Sequence, residues 1–209
     1  PTTEAGEMLL EVKDVTVSRG ERTLLQGFDL TLLAGERIAI AGPSGVGKTS
    51  LLDVLAGLQA PSAGTVTRSN QVSSTGIQKL YQDPPAAFPA RVALGKSLKD
   101  VARLHGEDWS TVLGYLSCLG IDESLLKRRP DEVSGGELQR ISIARALTAK
   151  PSILLADEPT SRLDPITQRE TLGMIADIAA ESGIAVVLVT HDLVIAEKWA
   201  DRCIDLGEF

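Results

Sequence analysis

The sequence of 209 residues is 43% hydrophobic, enough to bury one sizeable core as a single domain with subdomains. A net charge of −7 at neutral pH argues against a general nucleic-acid binder, which needs a basic face. Apolar runs fall well short of a membrane span and the first residues lack a signal peptide's basic and apolar regions, so a soluble protein is expected, with any membrane role exercised through a partner.

In chain order, Pro1 to Glu7 is polar and expected to be loose. Met8 to Val17 has the β-branched content and partial alternation of a strand, and Arg19-Gly20-Glu21 reads as a turn. Phe28 to Leu32 alternates cleanly, and Ala34-Gly35 turns into the short apolar strand Arg37 to Ala41. Thr49 to Ala56 reads as a helix stopped by Gly57. Gly64 to Thr67 and Ile77 to Tyr81 are further predicted strands, and Ser69 to Thr75 a loop.

After Gln82 the prolines through Pro89 break the pattern and helical periodicity takes over. Leu94, Leu98 and Val101 share one helical face; Val112, Leu116 and Leu119 share another, stopped by Gly120. A helix is also predicted over Leu138 to Ala149. From Ser152 strand and helix alternate: Ile153 to Ala156, a helix carrying Leu172, Ile175 and Ile178, then Ala185 to Val189. The order predicts an α/β protein with a mostly parallel sheet flanked by helices. An antiparallel β subdomain and the start of the α/β core span 1–83, an inserted helical subdomain 84–150, and the rest of the core 151–209. Cys118 and Cys203 lack metal-ligand spacing and are expected to be buried thiols in a reducing cytosol.

Gly42-Pro43-Ser44-Gly45-Val46-Gly47-Lys48-Thr49-Ser50 fits G-x-x-x-x-G-K-[ST], the phosphate-binding loop. The glycines let backbone N–H groups turn inward around phosphate oxygens, where a Cβ would obstruct them. Lys48 is placed to reach the β- and γ-phosphates and Thr49 to ligate Mg²⁺. A strand before and a helix after, with its positive end at the phosphates, are the context this chemistry requires. A P-loop NTPase fold follows.

Asp157 and Glu158 stand at the carboxyl end of an apolar strand, where open α/β sheets bind ligands. Asp157 is the candidate Mg²⁺ holder; Glu158 is the candidate base for the attacking water. His191 follows another strand's end and is placed to meet the γ-phosphate and hold the water and Glu158 in register. Ser134-Gly135-Gly136-Glu137 fits a capping box, yet two glycines do not improve a cap. They bare N–H groups at a helix start, which makes an anion site.

Together these stretches resemble the nucleotide-binding domain of ATP-binding cassette (ABC) transporters over essentially the whole chain. Gly42 to Thr49 is similar to the Walker A loop, Gln82 to the Q-loop glutamine that contacts Mg²⁺ and water, and Val133 to Glu137 to the signature sequence. Ile153 to Glu158 is similar to Walker B, Ser161-Arg162-Leu163-Asp164 to the D-loop, and His191 to the switch histidine. There are departures: Arg19 stands where an aromatic usually stacks on adenine, Val133 replaces Leu, and Glu137 replaces Gln. Gln82-Asp-Pro, Pro-Ala-Arg91, Ser134 to Arg140, Ala156 to Ser161 and His191-Asp-Leu193 are similar to nickel and peptide importer ATPases.

The resemblance implies an ATP-hydrolysing, Mg²⁺-dependent motor on the cytoplasmic side of the inner or plasma membrane, held there by permease subunits. A second cassette, identical or different, is expected to pair head to tail, bringing its Ser134-type residues to this chain's phosphate loop. An external solute-binding protein is expected as a partner, and no nucleic acid. The implied cargo is a peptide, a metal chelate or a similar small solute. The alternatives are a soluble accessory ATPase like those of carbon–phosphorus lyase systems, and a lipoprotein or macrolide exporter ATPase.

Overall fold

Two long strands, β1 (Met8–Arg19) and β2 (Arg22–Leu33), run antiparallel around the turn at Gly20 and Glu21. Val15 faces Phe28 and Val17 faces Leu25 across the pair, and these apolar side chains enter the interior, with register shifts interrupting strict alternation along the pair. The structure, a computed structural model, describes residues 6–161 and 163–208. The expectation for Pro1 to Ala5 lies outside the described residues, as does Arg162 of the D-loop stretch.

β3 (Arg37–Ala41) leads through the glycine loop into α1 (Lys48–Ala56), which ends on left-handed Gly57. β4 (Ala63–Arg68) pairs antiparallel with β1 and completes a three-stranded sheet in the order β2-β1-β4. Gly64 is required there: its φ is +81°, and a Cβ would lie 2.2 Å from the Asp14 carbonyl oxygen.

β5 (Ile77–Leu80), β6 (Ile153–Asp157), β7 (Ala185–Thr190) and β8 (Arg202–Asp205) join β3 in a five-stranded sheet ordered β5-β6-β7-β3-β8. The β6–β7, β7–β3 and β3–β8 pairs are parallel. β6 and β7 are buried at every position, which explains their uninterrupted apolar runs. One apolar cluster joins Val12, Val15 and Phe28 of the antiparallel sheet to Leu51 and Leu55 of α1 and to Ile40, Leu155 and Val187 of the parallel sheet.

The chain separates into two units. The first comprises 1–79, 152–158 and 178–209; the second comprises 80–151 and 159–177. The second unit holds α2 (Leu94–His105), α3 (Trp109–Cys118), α4 (Gly135–Thr148) and most of α5 (Pro165–Ser182). Leu94, Leu98, Val112, Leu116 and Leu119 are fully buried. Val101 is only half-buried, and Ala102 takes its place on the inward face of α2. α4 starts at Gly135, three residues before the predicted Leu138, because Ser134 caps it.

Among the described residues, the strand β8 and the seven-residue α6 (Leu193–Trp199), which exposes Leu193 and Val194, were not predicted. The cysteine expectation fails, since Cys118 and Cys203 are both exposed. Cys118 lies off the buried Val112–Leu116 face of α3, and Cys203 sits on the edge strand β8.

Candidate active site

The glycine loop leaves the carboxyl end of β3 and closes on the N-terminus of α1. Gly47 caps α1 with φ +111°, and a Cβ on it would meet the Leu24 Cβ at 2.9 Å. The turn into the helix therefore admits glycine alone. Lys48 is 6% exposed, and its ammonium donates to the carbonyls of Gly42 at 2.7 Å and Pro43 at 2.9 Å. The cation is thus held against the loop. Val46 packs on the core, Ser50 is half-buried, and Ser44 and Gly45 are exposed. The first turn of α1 contains no acid, so its N–H groups face no competing carboxylate.

Asp157 is the last residue of β6 and is 3% exposed. The Thr49 hydroxyl donates to its Oδ1 at 3.2 Å. Burial raises the Asp157 pKa, and the Lys79 charge and the Thr49 hydrogen bond oppose that rise. Lys79, on β5, places its ammonium 2.6 Å from Asp53 Oδ1 and 3.7 Å from Asp157 Oδ2. Sequence reasoning left Lys79 and Asp53 unassigned; the available signal was the lysine inside the short strand Ile77–Leu80.

Glu158 follows at once with φ +46°, a left-handed conformation that costs a non-glycine residue about 1 kcal/mol or more. Its N–H donates to the Val189 carbonyl at 3.0 Å, which ties the turn to the end of β7. The Glu158 carboxylate is 15% exposed, and its Oε1 lies 3.3 Å from His191 Nδ1. His191 is held between two fixed points. The Thr190 hydroxyl accepts from the Asp192 N–H, and the Asp192 carboxylate caps α6 through Val194 and Ile195. Lys48, Thr49, Asp157, Glu158 and His191 all belong to the first unit, where β3, β6 and β7 bring them to one end of the sheet. Arg19 is exposed at the end of β1, opposite Arg22.

In the second unit the Ser134 capping box is complete. The Glu137 N–H donates to Ser134 Oγ at 3.2 Å, and the Ser134 N–H and hydroxyl donate to Glu137 Oε2 at 2.8 and 2.7 Å. The Ser134 hydroxyl also lowers the Glu137 pKa. Gly135 has open space around its Cβ position, whereas a Cβ on Gly136 would approach Leu163 Cδ2 at 2.9 Å. Asp164 accepts from the N–H groups of Ile166 and Thr167 and from the Thr167 hydroxyl, which caps α5. Gln82 is exposed just before a short 3-10 helix, Pro84–Ala87.

Residues 25–161 match the ABC transporter family. An Fe(3+) ions import ATP-binding protein of Rhodococcus jostii is 37% identical over 92% of this chain and 58% of its own length. The chain thus spans little more than half of that relative. A nickel import ATP-binding protein of Pseudomonas putida is 34% identical over 89% of this chain and 74% of its own length. The dimeric post-hydrolysis state of the ATP-binding cassette MJ0796, bound to ADP and Pi, superposes with a TM-score of 0.82 at 27% identity, covering 95% of both chains.

Proposed function

The chain belongs to the ABC transporter family, and from that membership we propose that it is the ATP-hydrolysing motor of an importer for a small solute. The observation that carries the proposal is the Glu158–His191 pair, standing one residue beyond an Asp157 that is hydrogen-bonded to Thr49 of the phosphate loop. Import is inferred from relatives named as iron and nickel import ATP-binding proteins. The solute class is a metal chelate, a peptide or a comparably small molecule.

The loop N–H groups and Lys48 bind the triphosphate of ATP. Thr49 and Asp157 would hold Mg²⁺. The donors fit that ion, since a hydroxyl and a buried carboxylate are hard oxygens. Among the described residues no cluster of three or more His, Cys, Asp or Glu forms a metal cage. Mg²⁺ takes few protein ligands and completes its shell with phosphate and water. When bound, the ion would neutralise developing phosphate charge.

Glu158 accepts the proton of the attacking water. His191 Nδ1 holds that carboxylate in place and presents the ring to the γ-phosphate. Arg19 lays its guanidinium on the adenine. Ser134, Gly135 and Gly136 bind the γ-phosphate held by a second cassette, with Asp164 near the shared boundary, so two chains pair head to tail. The dimeric state of the MJ0796 cassette supports this arrangement.

No helix among the described residues is long and apolar enough to cross a membrane. On the family reading, the motor works at the cytoplasmic face together with permease subunits, and an external binding protein delivers the solute. Affinity isolation from detergent-solubilised cells tests this: multi-span membrane subunits are expected in the complex, and recovery of soluble partners alone would overturn the transport role. The loop is tested by Lys48→Ala. Removing a charge that meets phosphate is expected to weaken ATP binding about tenfold or more. Calorimetric titration showing unchanged affinity would contradict that assignment.

A further inference from the structure

Lys79 is a cation enclosed between two acids. Its side chain is 5% exposed, as is that of Asp157, while Asp53 is 32% exposed. The ammonium is hydrogen-bonded to Asp53 at 2.6 Å and stands 3.7 Å from Asp157 Oδ2. Asp157 turns its other oxygen, Oδ1, to the Thr49 hydroxyl. The fold makes this geometry specific. Thr49 and Asp53 are four residues apart on α1 and share a face. Lys79 and Asp157 come from β5 and β6, neighbours in the parallel sheet. One ammonium therefore serves an acid of the phosphate-loop helix and the strand-end acid at once.

A buried lysine needs a partner, and either carboxylate suffices. Sharing has a consequence for Asp157. An ammonium on one side of its carboxylate repels a divalent cation arriving on the other, and the low dielectric of the site strengthens that repulsion. Asp53 opposes this by drawing the ammonium to its own oxygen. We propose that Lys79 is a positioning counter-charge, shared between Asp53 and Asp157, that sets the divalent-cation affinity of the strand-end acid. The inference rests on the reading of Asp157 as a Mg²⁺-holding residue. It adds that Lys79 lowers the affinity and Asp53 raises it.

The two roles have opposite signs, and that is what the experiment reads. Mn²⁺ is titrated into the full chain with a non-hydrolysable ATP analogue present, and free Mn²⁺ is followed by electron paramagnetic resonance. Lys79→Met is expected to bind Mn²⁺ about fivefold or more tighter, because the repelling charge is gone. Lys79→Arg, which keeps the charge, is expected to stay near the wild-type value. Asp53→Asn is expected to bind about threefold or more weaker, because the ammonium is released to Asp157. A purely structural role would loosen binding in both Lys79→Met and Asp53→Asn. That result, or no change in either, overturns the inference. Asp157→Asn separates the two levels: weakened Mn²⁺ binding there keeps the metal site standing whatever the other variants do. Wild-type affinity in Asp157→Asn would remove the metal site and the inference with it.

Discussion

Glu158→Gln is expected to bind ATP almost as wild type does and to lose turnover by about a hundredfold or more, the usual worth of a positioned base. The amide has the carboxylate's shape and keeps an oxygen for His191, so the turn at φ +46° and the tie to Val189 should survive. What disappears is the ability to accept a proton from water. The loss should therefore fall in the chemical step, with nucleotide affinity intact. Single-turnover hydrolysis and equilibrium ATP binding, measured on the same protein, check both halves. A near-normal hydrolysis rate would take Glu158 out of the role of base.

The strained backbone supports that emphasis on Glu158. A glutamate with positive φ is stabilised by its surroundings, here the Val189 carbonyl and the end of β7. Outliers of this kind concentrate at functional sites, because folding energy elsewhere offsets the local cost.

Much of the site was legible because its chemistry is written in adjacent residues. The left-handed turn at Gly47 and the Ser134–Glu137 capping box are local structures, fixed within a few positions of sequence. The apolar runs Ile153 to Ala156 and Ala185 to Val189 announced buried parallel strands, and their ends located Asp157, Glu158 and His191. Lys79 was not legible, because its meaning depends on β5 lying beside β6 and on which face of α1 turns toward it. Asp53 reads in sequence as a polar helix residue and becomes informative only through that pairing.

The end of the described chain was harder for a different reason. α6 is seven residues long and exposes two of its apolar side chains, which inverts the amphipathic signal. β8 holds its four residues at the edge of the sheet, with charged residues at both ends, as edge strands do. The 159–177 segment groups with the helical unit, although it follows the Walker B strand directly. Sequence order carries no signal for that exchange between units.

The proposed shared site makes the largest demand on the account, since each half of its machinery comes from a different chain. Ser134→Arg blocks the proposed anion-binding start of α4, and Glu158→Gln removes the proposed base. Each variant alone disables both sites of its own dimer. In a mixed dimer both defects fall in one site, leaving the other site with an intact Glu158 from one chain and an intact Ser134 from its partner. Equal mixing of two inactive proteins should then restore about a quarter of the wild-type rate, if chains pair at random and one site works alone. The wild-type specific rate should also rise with protein concentration as dimers form. A mixture that recovers nothing, with a wild-type specific rate constant across all dilutions, would contradict a site completed by a second chain.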